Sequence, residues 1–135
     1  NTRLLQRMAA FKDYTTICCS APSEFLATLA LRHGEKLAAR NREIIRGNLR
    51  LLEDFFARRA DWFDWQPPAA GPIAFPLLRR GKVARFCRDL VRQAGVLLLP
   101  GTLFAPGCNR FRIGFGRRSL PQALEALDAY LEAQA

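Results

Sequence analysis

An arginine between two large apolar residues, followed by a glycine, is the feature of this sequence that could do chemistry. It is Arg112, within residues 107–120, GCNRFRIGFGRRSL. If this stretch is a β-strand, its period-two alternation places the apolar side chains on one face, where they can pack a core: Phe111, Ile113 and Phe115. The opposite face then offers a guanidinium beside two residues without side chains, Gly114 and Gly116, so a ligand could approach the backbone closely.

A planar guanidinium suits one kind of ligand especially well. It donates two parallel N–H bonds to both oxygens of a carboxylate, which fixes orientation as well as adding binding energy. A strand arginine also occurs simply on a solvated face, but such a face has no need of empty neighbouring positions. The two glycines therefore favour a carboxylate clamp at Arg112, although the spacing alone fits both interpretations.

The same strand also resembles the glycine-aromatic strand of RNA-recognition sheets, in which exposed aromatic side chains stack on bases. The formal net charge of +9, from 21 basic and 12 acidic residues, agrees with an RNA partner. The register disagrees, because Phe111 and Phe115 lie on the same face as Ile113 and would be buried. A small basic RNA-binding domain is therefore kept as the alternative function.

Other residue types that carry chemistry are sparse. The chain has a single histidine, and its four cysteines lack C-x-x-C spacing, so we expect reduced thiols and no metal site: Cys18, Cys19, Cys87 and Cys108. His33 is expected at a helix C-terminus, where the helix dipole favours it. None of the three lysines is framed by the small or hydroxyl residues that would hold a cofactor: Lys12, Lys36 and Lys82.

Periodicity and the placement of proline and glycine predict helices and extended runs in turn. Helices are expected over residues 3–11, 22–34, 35–59, 83–93 and 121–133, and extended runs over 73–78, 96–100 and 110–116. A chain of this length buries about 68–70% of its unfolded surface, enough for a real core. We predict an α/β chain of the α+β kind, with about three strands in a mainly antiparallel sheet covered by helices and preceded by a long helix.

Local signals predict further detail. Residues 15–19 are β-branched or small and are expected to be extended or irregular. Gly34 is expected in the left-handed conformation that follows many helices. The run 96–100, VLLLP, is expected to be a strand buried on both faces, and Ser119 with Gln122 is expected to form a capping box.

The helix predicted over 35–59 has up to about 25 residues, or about 37 Å, which is longer than one domain's core needs. A helix of that length often joins two domains. No apolar run approaches the roughly 18 residues that cross a bilayer and no secretory signal is present, so we expect a cytoplasmic protein without a membrane span. The sequence starts without a methionine, inside an amphipathic pattern, so we expect it to be a piece of a longer protein.

Several stretches, taken in order, resemble the C-terminal segment of class I/II aminotransferases, which are pyridoxal-phosphate (PLP) enzymes of fold type I. They are DYTTICCSAPSEFLATLAL, the long helix, GPIAFPLL, GVLLLPGTLF, and NRFRIGFG followed by SLPQALEALDAYL. Their order and spacing over nearly the whole chain make the resemblance specific. It implies that residues 1–34 correspond to the end of a large domain, and residues 35–135 to the connector helix and the small domain.

The resemblance also implies roles for particular residues. In that family, a strand reading hydrophobic-Arg-hydrophobic-small carries the arginine that binds the amino acid's α-carboxylate. The pattern falls here on Arg112, with Gly114 leaving space near the substrate. Three hydroxyl residues match the family's loop at the dimer interface, near the partner subunit's active site: Thr15, Thr16 and Ser20.

The family's cofactor lysine, ring-stacking aromatic residue and pyridine-nitrogen aspartate all lie upstream of the matching segment. The resemblance therefore implies that this chain holds no catalytic and no cofactor-binding residue and is inactive alone. The parent enzyme is expected to be a homodimer with a large N-terminal domain that transfers an amino group between an amino acid and a 2-oxo acid using PLP. A related decarboxylating enzyme and a regulatory module without chemistry remain open, and no specific nucleic-acid partner is expected.

Overall fold

The structure is a computed structural model and describes residues 1–16 and 18–134. Ile17, one of the residues expected to be extended, lies outside the described residues. The chain forms two compact units, Asn1–Ala39 and Arg40–Ala135. The division between them falls within one long helix, α3 (Gly34–Arg58).

The first unit contains α1 (Thr2–Thr15), α2 (Ala21–Arg32) and the first residues of α3. The prediction for Thr15 is wrong, because this residue closes α1 and its hydroxyl donates to the carbonyl of Lys12 at 3.1 Å. The next residue, Thr16, is extended as expected. No described residue of α1 or α2 is buried, and the apolar residues predicted to share one face of α1 are all more than half exposed: Leu4, Leu5, Met8 and Phe11.

The junction between α2 and α3 differs from the prediction at Gly34. This glycine has no positive φ and is the first residue of α3. The turn is made instead by His33, the expected C-terminal residue, whose amide donates to the carbonyl of Leu29 at 3.2 Å. The carbonyl of His33 accepts from the amide of Leu37 at 3.1 Å, so α3 begins directly and needs no left-handed residue.

The second unit contains the rest of α3, together with α4 (Val83–Ala94) and α5 (Leu120–Glu132). Its strands are β1 (Phe63–Asp64), β2 (Ile73–Ala74), β3 (Leu77–Leu78), β4 (Leu99–Pro100) and β5 (Phe111–Gly114). A three-stranded antiparallel sheet has the order β2-β5-β4, and β1 and β3 form a separate antiparallel pair. The predicted α+β fold, with a mainly antiparallel sheet covered by helices, is confirmed.

The extended run predicted over 73–78 is two strands with different partners. Pro76 lies between them, is fully buried and has no N–H to continue a ladder. Its carbonyl accepts from the amide of Phe111 at 3.1 Å, while Leu77 and Leu78 pair with β1. Its partner β1 was not among the predicted extended runs.

The prediction that 96–100 is buried on both faces is wrong. β4 is two residues long and lies at the edge of its sheet. Leu98 is buried, whereas Leu97 is 75% and Leu99 37% exposed. An edge strand packs on its core side only, so a continuous apolar run does not by itself place a strand inside a sheet.

The ends of α4 and α5 follow different rules. Gly95 ends α4 in the left-handed conformation, with φ of 67°, which glycine adopts without a steric penalty. Ser119 is the N-cap of α5, but its backbone lies at φ −84° and ψ 8° and its side chain makes no cap hydrogen bond. The predicted capping box is therefore wrong, since a capping side chain usually extends from the β region.

The helices and strands of the second unit pack around one shared hydrophobic core. Its largest fully buried side chains come from α3, β1, β3, α4, β5, the residue after β5, and α5: Leu52, Phe55, Phe56, Phe63, Leu78, Leu90, Phe111, Phe115, Leu127 and Leu131. Phe63 lies at the centre of the aromatic cluster, with ring centroids 5.4 Å from Phe56 and 5.5 Å from Phe111, both edge to face. In the described ranges, no helix combines the length and apolarity needed to cross a membrane.

Candidate functional site

The alternation predicted for β5 is confirmed. Phe111 and Ile113 are buried on the core side, and Arg112 and Gly114 are exposed on the other side. Because β5 is the central strand of its sheet, its backbone is held from both edges. Leu99 of β4 pairs with Arg112, and Ile73 of β2 pairs with Gly114. The backbone of β5 around Arg112 is thus held by two other segments of the chain, β2 and β4.

The guanidinium of Arg112 is available to a ligand. Among the described residues, none forms a hydrogen bond or an ion pair with it. Other arginines of the unit are engaged: Arg110 donates to the carbonyl of Phe75 at 3.0 Å, and Arg80 pairs with Asp61 at 2.8 Å. All five N–H donors of Arg112 therefore remain free for an outside acceptor.

The surroundings of Arg112 on its face of the sheet are apolar and open. Residues paired directly across an antiparallel sheet share a face, so Leu99 and Ile73 flank the Arg112–Gly114 side of β5. These side chains are 37% and 42% exposed. A methyl group placed on Gly114 would meet only the carbonyl oxygen of Pro72, at 4.0 Å. The arginine thus stands beside apolar side chains, with unfilled space next to it.

A close backbone approach at Gly101 holds β4 against β5. The amide of Gly101 donates to the carbonyl of Arg110 at 2.6 Å. A β-carbon at position 101 would lie 2.6 Å from that carbonyl oxygen and 2.7 Å from the sulfur of Cys108. Only glycine fits there, so Gly101 belongs to the framework that positions the sheet edge beside Arg112.

Asn48 is the polar residue near β5 that the sequence analysis missed. It lies on α3, is 6% exposed, and its side-chain amide donates to the carbonyls of Phe115 and Arg117 at 2.8 and 2.7 Å. The available signal was its position one helical turn after Ile44 and one before Leu52, within the apolar stripe of α3. A polar residue in such a stripe needs hydrogen-bond partners once it is buried.

The three hydroxyl residues predicted near a partner's active site lie in the first unit and are exposed. The hydroxyl of Thr15 bonds within α1, Thr16 follows α1 as its C-cap, and Ser20 is the N-cap of α2 without a side-chain cap bond. Their role at a dimer interface stays a prediction.

The aldehyde of PLP needs a lysine, and the three lysines are exposed and lie at helix ends: Lys12 in α1, Lys36 in α3 and Lys82 before α4. That this chain holds no cofactor-binding residue stays a prediction. Within the described ranges, no group of His, Cys, Asp or Glu could hold a metal ion. The four cysteines are free thiols, and burial raises the pKa of the Cys87 thiol to about 11, which keeps it protonated and unreactive.

The aromatic residues of the stretch 110–116 bear on the RNA alternative. Phe111 and Phe115 are both fully buried, so neither ring can stack on a base from this strand. The remaining argument for an RNA partner is the net positive charge of the chain. Charge alone gives salt-sensitive, nonspecific binding.

Comparison with known proteins gives relatives over nearly the whole chain. No family model matches it. It is 30% identical to capreomycidine synthase of Streptomyces vinaceus, covering 98% of this chain and 34% of that protein. A PLP-dependent aminotransferase from Streptococcus suis matches at 29% identity and a TM-score of 0.82, covering 98% of this chain and 36% of that one. The PLP-dependent cyclase OrfR matches at 33% identity and a TM-score of 0.84, covering 98% and 37%.

The chain therefore spans about a third of the length of these relatives. The resemblance indicated by its motifs is confirmed, since sequence and fold agree over the same residues. The chain has the α+β fold of the C-terminal region of PLP-dependent aminotransferases, and both of these solved structures are of PLP-dependent enzymes.

Proposed function

We propose that this chain is the substrate-carboxylate-binding portion of a PLP-dependent enzyme that transfers an amino group between an amino acid and a 2-oxo acid. The observation that carries the proposal is the unpaired guanidinium of Arg112 on the central strand of the sheet. Both substrates of such a reaction bear a carboxylate next to the reacting carbon. One arginine can therefore hold the amino donor and the keto acceptor in the same orientation.

The local environment suits that task. A hydrogen bond between charged partners contributes about 1.5–3 kcal/mol, and low polarity around it increases its strength. Leu99 and Ile73 supply apolar surface on either side of Arg112 and Gly114. Gly114 leaves room for the substrate to come close to β5. The proposal assigns Arg112 the α-carboxylate and Gly114 the space beside it.

The rest of the enzyme is part of the proposal. The relatives are about three times as long as this chain, so we place the cofactor lysine and the large N-terminal domain in the remaining two thirds of the parent. PLP, when bound there, stabilises negative charge at the substrate's α-carbon. This chain binds and orients the substrate and is inactive alone. In a homodimer, Thr15, Thr16 and Ser20 would lie near the partner subunit's active site.

The test is substitution of Arg112 in the full-length enzyme. Losing one charged hydrogen bond of about 1.5–3 kcal/mol corresponds to a KM about 10- to 100-fold higher for the amino acid in Arg112→Ala. The absorbance of the bound cofactor stays unchanged, because no residue that holds PLP is altered. Arg118→Ala, at an exposed arginine of the same stretch, is the matched control and leaves KM unchanged.

An amine analogue without a carboxylate sharpens this test. Its KM is the same in wild type and in Arg112→Ala, because the arginine has nothing to bind. An unchanged KM for the amino acid in Arg112→Ala would refute the assignment.

One comparison favours a second reaction for the same site. The cyclase OrfR is 33% identical to this chain, and this favours, as the second candidate for the parent, ring formation within one amino-acid substrate in place of amino transfer. Omitting the 2-oxo acid separates the two proposals. An aminotransferase stops after one turnover without a keto acceptor, whereas a cyclase continues. In both cases Arg112 keeps its role as the carboxylate anchor.

A further inference from the structure

The backbone that follows Arg112 is weakly constrained by its own sequence. Glycines lie on both sides of Phe115, at positions 114 and 116, and glycine restricts the backbone less than any other residue. The regular strand ends at Gly114. The segment after Gly114 therefore depends on contacts outside the strand.

Two residues elsewhere in the chain, Pro72 and Asn48, hold this segment by hydrogen bonds. The amide of Phe115 donates to the carbonyl of Pro72 at 2.8 Å. The carbonyl of Phe115 accepts from the side-chain amide of Asn48 at 2.8 Å, and the same nitrogen donates to the carbonyl of Arg117 at 2.7 Å. Asn48 thus binds the backbone on both sides of Gly116.

The burial of Asn48 makes these bonds expensive to lose. Both hydrogens of its Nδ2 amide are directed at carbonyl oxygens, and the residue is 6% exposed. The Phe115 bond is itself buried. Buried carbonyls left without a donor destabilise that local arrangement, so the segment would shift to find other partners. Because β5 is continuous with it, the shift would reach Arg112 three residues earlier.

We propose that Asn48 is a positioning residue for Arg112: by tying the end of β5 to helix α3, it fixes the direction in which the guanidinium meets the substrate carboxylate. This inference rests on the proposed function of Arg112. It assigns the amide a role in substrate binding that burial in the core would not by itself require. Misplacement of a binding group by about 1 Å can lower a rate about 100-fold, so small shifts of β5 matter.

The experiment uses Asn48→Leu in the full-length enzyme, because leucine has similar size and no donor. We expect KM for the amino acid to rise about tenfold with kcat little changed, and KM for an amine analogue without a carboxylate to stay the same. Arg59→Met is the matched control. Arg59 directly follows α3, but its side chain binds Asp128 and Glu132 of α5 and makes no described bond to β5. We expect this control to lower thermal stability and leave KM unchanged.

A double-mutant cycle with Arg112→Ala separates positioning from a merely structural effect. If Asn48 acts through Arg112, Asn48→Leu has no further effect on kcat/KM in the Arg112→Ala background. An equal effect in both backgrounds, no effect of Asn48→Leu on KM, or an equal rise in KM from Arg59→Met would each overturn the inference and leave the proposed function intact. No effect of Arg112→Ala alone would overturn both. If Asn48→Leu does not fold, Asn48→Ser, which keeps one shorter donor, carries the same comparison.

Discussion

Substitution of Gly101 tests the packing between β4 and β5 quantitatively. In Gly101→Ala the new β-carbon lies 2.6 Å from the carbonyl oxygen of Arg110, 2.7 Å from the sulfur of Cys108 and 3.1 Å from the Phe75 ring. The sulfur and the ring belong to side chains and can give way. The carbonyl belongs to the backbone of the segment leading into β5, and it already accepts the Gly101 amide at 2.6 Å. Relief of the clash therefore has to lengthen that hydrogen bond.

The magnitude follows from these contacts. Overpacking of this kind costs about 1–3 kcal/mol, and the weakened hydrogen bond adds about 1 kcal/mol. Alanine recovers about 0.4–1 kcal/mol through the lower entropy of the unfolded chain. We expect a net loss of about 1–3 kcal/mol in the free energy of unfolding. The matched control is Gly47→Ala, at an exposed position inside α3 where a β-carbon meets nothing within 4 Å. It should gain about 0.5–1 kcal/mol.

Urea denaturation followed by circular dichroism measures both variants against the parent chain. Gly101→Ala should shift the transition midpoint to a lower urea concentration and Gly47→Ala to a higher one, with the slope of the transition unchanged. If Gly101→Ala is as stable as the parent chain, or if both substitutions shift the midpoint the same way, the close approach at Gly101 is not what holds β4 in place.

Three further predictions test the burial of the core. Burial raises the pKa of the Cys87 thiol from 9.0 to about 11. Between these pH values the unfolded chain loses a proton that the folded chain keeps, so the free energy of unfolding falls as pH rises. Cys87→Ala should flatten that fall in denaturation midpoints measured from pH 8 to 11. At pH 8, a thiol reagent should modify the exposed Cys18 and Cys19 without denaturant and Cys87 only with it, and equal rates would contradict the assigned burial. Leu127→Ala, at a fully buried position of α5, should lower the free energy of unfolding by about 2–5 kcal/mol. Leu31→Ala, at a position that is 82% exposed, should change it by no more than about 0.5 kcal/mol. Similar denaturation midpoints for the two variants would contradict the core described.

The sequence predicts best where a local pattern and the tertiary structure demand the same thing. The alternation of residues 110–116 identifies Phe111, Ile113 and Phe115 as buried and Arg112 as exposed, because a strand with one packed face leaves no other register. The end of α4 at Gly95 is likewise a local rule that nothing opposes. For the fold class, helical and extended periodicities of adequate length were sufficient.

Prediction fails where tertiary partners decide. The apolar run 96–100 looks fully buried, but its exposure depends on its position at the edge of the sheet, which no local signal encodes. Gly34 fits a helix end, yet the carbonyl of His33 starts α3 at once. Asn48 is visible in the sequence only as a polar interruption in an apolar stripe, because its partners lie 67 and 69 residues away along the chain.

The two faces of β5 have different roles, because its buried residues pack in the core and its exposed residues face outward. Substitutions on its outer side meet no packed neighbours, whereas those on its inner side disturb the aromatic centre of the unit. Outward residues of such a strand can therefore change ligand specificity while the buried packing stays the same, and buried residues can change while the specificity stays the same. Libraries that vary the outward positions and their facing residues on the flanking strands would explore new specificities at little risk to folding.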